Sequence, residues 1–143
     1  SERLEGRTEV RADIETVFGV VDDPEKSVEW LPGMLSVSDI KGEGRGRTYN
    51  WRYKMAAFKL SGKSEITAHD PPKRVIVQSS GGADSTWTWE FEEKNGKTVV
   101  SLVVVYVVPI PLLGRIAERL LVRQNAKEMN QALENVKRMS EAA

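Results

Sequence analysis

The chain has 143 residues, with 21 lysines and arginines balanced by 21 aspartates and glutamates, one histidine and no cysteine. A formal charge of zero gives no bulk attraction to nucleic acid or to a strongly anionic membrane. The missing cysteines exclude disulfides, thiolate metal sites and a cysteine nucleophile, and the lone His69 excludes a multi-histidine metal centre. The length fits a single domain, residues 1–143, large enough to bury a core without metal or cross-links. There is no apolar run of about 18 residues and no signal-peptide pattern, so the expectation is a soluble, cytoplasmic chain with no cofactor, no metal and no nucleic-acid partner.

Leu4 to Ala12 alternates, with Leu4, Thr8 and Val10 opposite Glu5, Arg7, Glu9 and Arg11, and predicts a half-buried first strand. Asp13 is placed to cap a short helix whose apolar face is Ile14, Val17, Phe18 and Val21. Asp22-Asp23-Pro24 ends it and starts a second, running to about Trp30 and closed by Leu31-Pro32-Gly33. Strands then follow at regular intervals: Leu35 to Ile40, Arg47 to Met55, Phe58 to Ala68, Arg74 to Ser80, Ser85 to Glu93 and a valine-rich run from Val99 to Val108. Asn95-Gly96 is a tight-hairpin signal, and consecutive strands with tight turns argue an antiparallel sheet. Alternation puts Tyr49, Trp51, Tyr53 and Met55 on one face, as it does Phe58, Leu60, Ile66 and Ala68, and Trp87, Trp89 and Phe91.

Pro109-Ile110-Pro111 punctuates the chain, and strong helix formers dominate after Gly114. At about 100° per residue, Val122, Ala126, Met129, Leu133 and Val136 share a face, whereas Leu113, Ile116, Ala117, Leu120 and Leu121 lie roughly 160° away. About 28 helical residues span roughly 42 Å, more than the ~35–40 Å diameter of a compact domain of this size. The expectation is a bend, a break or an exposed apolar face near residues 110–122. Three readings stay open for that segment: a kinked helix start over a cavity mouth, a homodimer contact, or a peripheral membrane contact supported by Arg115, Arg119 and Arg123. The outer face of the last strand (Val99, Val103, Val105, Val107) hints at a second contact surface.

The fold class is therefore α+β: strand, two short helices, six strands and a long helix, with a curved seven-stranded antiparallel sheet wrapped around the terminal helix. Such a sheet leaves a cavity where the helix cannot fill its concave face. Gly42-Glu43-Gly44-Arg45-Gly46 precedes a strand and lacks a Gly-Lys-Ser/Thr ending, so it reads as a turn and not a phosphate loop. Trp30, Tyr49, Trp51, Tyr53, Phe58 and Trp87 are candidate cavity residues, joined by Trp89, Tyr106, Leu113, Ile116 and Leu120; simple core packing is the competing reading, and Phe91 belongs to it. Alternation also turns Arg47, Tyr49, Tyr53, Ser64 and Tyr106 inward and leaves His69, Glu65, Glu90 and Glu92 outside or in turns. No inward carboxylate pair and no nucleophile with a base emerges, so the sequence makes no case for catalysis.

The element order, Asp13-Ile14-Glu15-Thr16-Val17-Phe18, Trp30-Leu31-Pro32 and the junction from Tyr106-Val107-Val108-Pro109 to Leu112-Leu113-Gly114 resemble the SRPBCC superfamily. That superfamily includes START lipid-transfer domains, birch-pollen-allergen-like proteins and, closest to this chain, bacterial polyketide cyclase/dehydrase-like proteins. The resemblance implies a helix-grip fold with an internal cavity for a lipid-, polyketide- or quinone-like molecule, but no particular reaction. The expected function is binding or transfer of a hydrophobic or amphipathic small molecule. Two alternatives remain: a cyclase/dehydratase-type enzyme using Tyr49, Tyr53 or Arg47, and an interaction module with a filled core.

Overall fold

The computed structural model describes residues 1–108 and 114–143. Seven strands form one antiparallel sheet: β1 (Glu2–Val10), β2 (Met34–Lys41), β3 (Thr48–Met55), β4 (Phe58–Asp70), β5 (Arg74–Ser80), β6 (Ser85–Lys94) and β7 (Lys97–Tyr106). Their spatial order is β1-β7-β6-β5-β4-β3-β2, so the first two strands in sequence end at opposite edges. The connection between them holds α1 (Ile14–Asp22), a 3-10 turn (Pro24–Lys26) and α2 (Ser27–Trp30). The long helix α3 (Gly114–Ala142) lies across the concave face.

Local chemistry accounts for the boundaries. The Asp13 side chain accepts from the Thr16 backbone N–H at 2.8 Å and starts α1, and its bonds with Thr16 hold the carboxyl below the usual range. Asp23 caps the next turn the same way, with Pro24 at its first position. Asn95 and Gly96 both take positive φ between paired Lys94 and Lys97, as a two-residue hairpin requires. Gly42, Gly44 and Gly46 also have positive φ, so the glycine-rich stretch is a turn, as expected.

The helix grips the sheet mainly through its C-terminal half. At Gly6 of β1, an added Cβ would meet Leu133 and Met129, so glycine lets the helix approach the strand closely. Lys137 donates to the Glu9 carbonyl at 2.8 Å, Glu141 accepts from the Arg11 backbone N–H at 2.9 Å, and Asn135 donates to the Trp30 carbonyl at 3.1 Å. Between these anchors Ala132, Leu133 and Val136 pack with Val10, Val17, Val100 and Leu102 in the core.

Within its described span α3 runs unbroken from Gly114, and of the expected bend, break or exposed apolar face the exposed face is the one found: Ile116 is 76% and Leu120 59% exposed. Three other expectations change. The buried stripe is Leu121, Asn125, Met129, Ala132, Leu133, Val136 and Ser140, so Leu121 belongs to it and Val122 lies at its margin. The polar Asn125 had concealed the continuity. A bulge in β4 between Ile66 and Ala68 shifts the register, pairing Ala68 with outward Ile76 and His69 with inward Val75. It therefore turns Ala68 out and His69 in. On the outer face of β7, Val99 is buried and Val103 and Val105 are half-buried between register partners on β1 and β6, leaving Val107 exposed.

Leu133→Ala should cost about 2–5 kcal/mol because it opens a hole where helix meets strand, whereas Ile116→Ser should change stability by no more than about 0.5 kcal/mol. Urea denaturation of both variants checks this; a large loss in Ile116→Ser would contradict the exposed placement.

Candidate functional site

Toward the N-terminal half of α3 the concave face is not filled. A cavity of about 130 Å³ lies there, walled by residues of all seven strands, the α1–α2 segment and α3. Its wall is mostly apolar, formed by Leu31, Met34, Ile66, Val75, Val77 and Val104 together with aromatic rings. This departs from the filled core that an interaction module requires. A larger hollow of about 580 Å³, edged by Lys63, Glu65, Gln78 and Thr86, carries charged and polar side chains and lacks that apolar enclosure.

Of the predicted residues, Trp30, Tyr49, Trp51, Tyr53, Trp87, Trp89 and Tyr106 all line the cavity. Trp89 is nearly fully buried and meets Trp30 edge to face with ring centroids 5.3 Å apart. Gly62 stands where a side chain would collide with the Trp51 ring, and Gly33 does the same for Tyr53, so two glycines make room for two wall residues. Phe91 is core, away from the cavity, as expected.

Phe58, Ile116 and Leu120 do not line it. Phe58 sits at the end of the β3–β4 hairpin, paired with Met55 and 47% exposed, where alternation assigned a face but nothing covers it. Ile116 and Leu120 point away from the buried stripe of α3. Leu113, and with it the first part of the segment expected over the cavity mouth, falls outside the described residues. Arg47 is also absent from the wall; its Nε donates to the Gly42 carbonyl at 3.1 Å and braces the glycine turn.

Of the polar part of the site, Tyr49, Tyr53, Ser64 and Tyr106 face inward as alternation required, whereas Ser79, Ser85, Asn125 and Glu128 were not foreseen. Register places Tyr49, Ser64, Ser79, Ser85 and Tyr106 side by side on β3, β4, β5, β6 and β7, and all five line the cavity. They make a row of hydroxyls across an otherwise apolar surface. Ser64 and Ser79 share a hydrogen bond of 2.6 Å, and Ser85 accepts from the Trp87 indole at 3.1 Å. From the helix, Asn125 donates to the Tyr106 hydroxyl at 3.0 Å, and Glu128 accepts from the Tyr53 hydroxyl at 3.2 Å. The indole N–H groups of Trp30 and Trp51 are buried without a partner. Asn125 was detectable in principle, as a polar residue four positions from both Leu121 and Met129.

Asp22, at the end of α1, is a second carboxylate in the wall. Both its oxygens lie 3.0 Å from His69 Nε2, and the imidazole meets Phe18 edge-on at 5.6 Å. The bulge in β4 is what brings His69 to this partner. Among the described residues no group of three or more His, Cys, Asp or Glu side chains could hold a metal ion.

A curved antiparallel sheet closed around a C-terminal helix, with an apolar cavity between them, defines the helix-grip class of the SRPBCC superfamily. The chain belongs to the polyketide cyclase/dehydrase and lipid transport family, whose model matches residues 1–141. Among solved structures it is similar to TTHA0849 from Thermus thermophilus, at 20% identity and a TM-score of 0.82 over 99% of this chain and 98% of that one. A START superfamily protein from Mycobacterium smegmatis has 14% identity and a TM-score of 0.77, covering 96% and 98%. CV1439 from Chromobacterium violaceum has 16% identity and a TM-score of 0.76, covering 99% of each. At these identities the likenesses establish the fold alone. No curated protein matches in sequence. No described helix is long and apolar enough to cross a membrane.

Burial pushes the hydroxyls of Tyr49, Tyr53 and Tyr106 above the ordinary tyrosine pKa; the Glu128 carboxylate pushes Tyr53 further, while the Asn125 bond partly offsets the shift at Tyr106. These are the only tyrosines in the chain. The folded state therefore holds their protons more tightly than the unfolded state, where they ionise near pH ~10. Their contribution to stability is complete below that pH and is lost as pH rises through the folded values. Ultraviolet titration of the native protein should show no tyrosinate near pH ~10 and a late, cooperative appearance with unfolding. An ordinary reversible titration of any one tyrosine would remove it from the cavity wall.

Proposed function

We propose that the chain binds, and carries or holds, one hydrophobic or amphipathic small molecule in the cavity between the sheet and α3. The observation that carries this is the unfilled apolar space walled by Trp30, Trp51, Trp87 and Trp89, crossed by a row of hydroxyls. An apolar body gains by leaving water for such a wall, and a few convergent polar groups fix its orientation. Membership of a family described by lipid transport as well as cyclase and dehydrase activity supports the reading.

One saturable site per chain should quench tryptophan emission when an apolar dye enters. Trp87→Ala should weaken the dye by about ten-fold or more, since it removes a large aromatic contact, with circular dichroism unchanged. Native and denaturing mass spectrometry should release a co-purified apolar molecule or show the empty cavity accepting the dye. A protein that arrives empty and takes up no dye would remove the binding reading.

The Tyr53–Glu128 pair favours a second reading, a cyclase- or dehydratase-type enzyme. Where a substrate carbonyl replaces Glu128 as the acceptor of the Tyr53 proton, the buried phenol can stabilise charge developing on that oxygen. Under that reading Tyr53→Phe should lower turnover of a polyketide-like substrate by about 10²-fold with binding retained. Equal losses of turnover and affinity would make Tyr53 a binding residue only.

A further inference from the structure

The cavity wall contains two carboxylates, Asp22 and Glu128, and among the described residues no lysine, arginine or histidine lines it; His69 meets Asp22 from outside the wall. Residues 109–113 bring no charge either, because their sequence is Pro-Ile-Pro-Leu-Leu. The rest of the polar lining is neutral: three tyrosine and four serine hydroxyls, one amide and the indoles. We infer that the cavity selects an uncharged ligand with an apolar skeleton and oxygen functions, carbonyl or hydroxyl, and discriminates against carboxylic acids of the same shape. This rests on the binding reading above and goes beyond it by stating the ligand's charge and functional groups.

The physical case has two halves. A carboxylate entering this space would be stripped of water with no cation to meet it, and it would be repelled by Glu128 and Asp22. Asp22 is already matched by His69, so the larger unbalanced charge facing the cavity is Glu128, held only by the Tyr53 hydroxyl. A cation would find an opposite charge at Glu128 but would offer nothing to the donors of the wall. Those donors are numerous. The Tyr106 hydroxyl accepts from Asn125 and Ser85 accepts from Trp87, which leaves each hydroxyl proton available to be donated. Trp30 and Trp51 add two buried N–H groups without acceptors. A neutral oxygen acceptor is the chemistry that satisfies donors without adding charge. The hydroxyl row also places this demand in one band, so the oxygen functions of the ligand should lie together and not at opposite ends.

The test uses isothermal titration calorimetry at neutral pH with the full chain and three probes of one shape: methyl naphthyl ketone, naphthoate and naphthylmethylamine. The ketone should bind more tightly than either charged analogue, by about ten-fold or more over naphthoate. Glu128→Gln should raise the naphthoate-to-ketone affinity ratio about five-fold or more. The charge assignment is overturned if naphthoate or the amine binds as tightly as the ketone, or if Glu128→Gln leaves the ketone-to-naphthoate ratio unchanged. An apolar dye titrated in parallel separates the two levels. Dye binding without ketone preference defeats this inference alone, whereas loss of dye binding as well defeats the cavity reading on which it stands.

Discussion

The close approach of α3 to β1 at Gly6 sets the geometry of everything else. With no side chain there, Leu133 and Met129 seat directly on the strand, and the C-terminal half of the helix is locked by core packing and by bonds to the backbone of residues 9, 11 and 30. A helix of 29 residues is about 43 Å long. A curved sheet that it meets firmly at one end cannot also be met firmly at the other. The space that results is where large rings, Trp51, Tyr53 and Tyr106, replace aliphatic packing.

That division separates anchoring from cavity lining along one helix. The anchored half buries Ala132, Leu133 and Val136 and gives the chain its core; the other half offers Asn125 and Glu128 to the cavity. The hydroxyl row faces that other half across the cavity. It spans five strands by register alone, and no single strand shows it, because each contributes one residue.

The β4 bulge shows how much one extra residue can decide. Upstream of it Ser64 and Ile66 face the cavity, as simple alternation requires. Downstream the phase reverses, and His69 leaves the predicted turn to lie between Asp22 and Phe18 under the glycine turn at Gly44. The imidazole thereby ties β4 to the end of α1, next to the cavity wall. Alternation alone would have kept His69 away from Asp22.

The sequence by itself determined the element order, the antiparallel meander, the Asp13 cap, the Asn95-Gly96 hairpin and the aromatic inner faces of β3 and β6. Each of these follows from chemistry within a few residues: a period of two, a capping side chain, a positive-φ turn. Seven of the eleven expected cavity residues were legible for the same reason, since alternation fixes a face. Alternation does not fix what covers that face. Only the tertiary structure decided that Phe58, Ile116 and Leu120 lie exposed, that Leu121 and Asn125 continue the buried stripe, and that Ser79, Ser85 and Glu128 meet the aromatics. Those outcomes depend on strand register, on a bulge and on the angle at which one helix leaves the sheet. They are relations between residues far apart in the chain, and local periodicity carries no record of them.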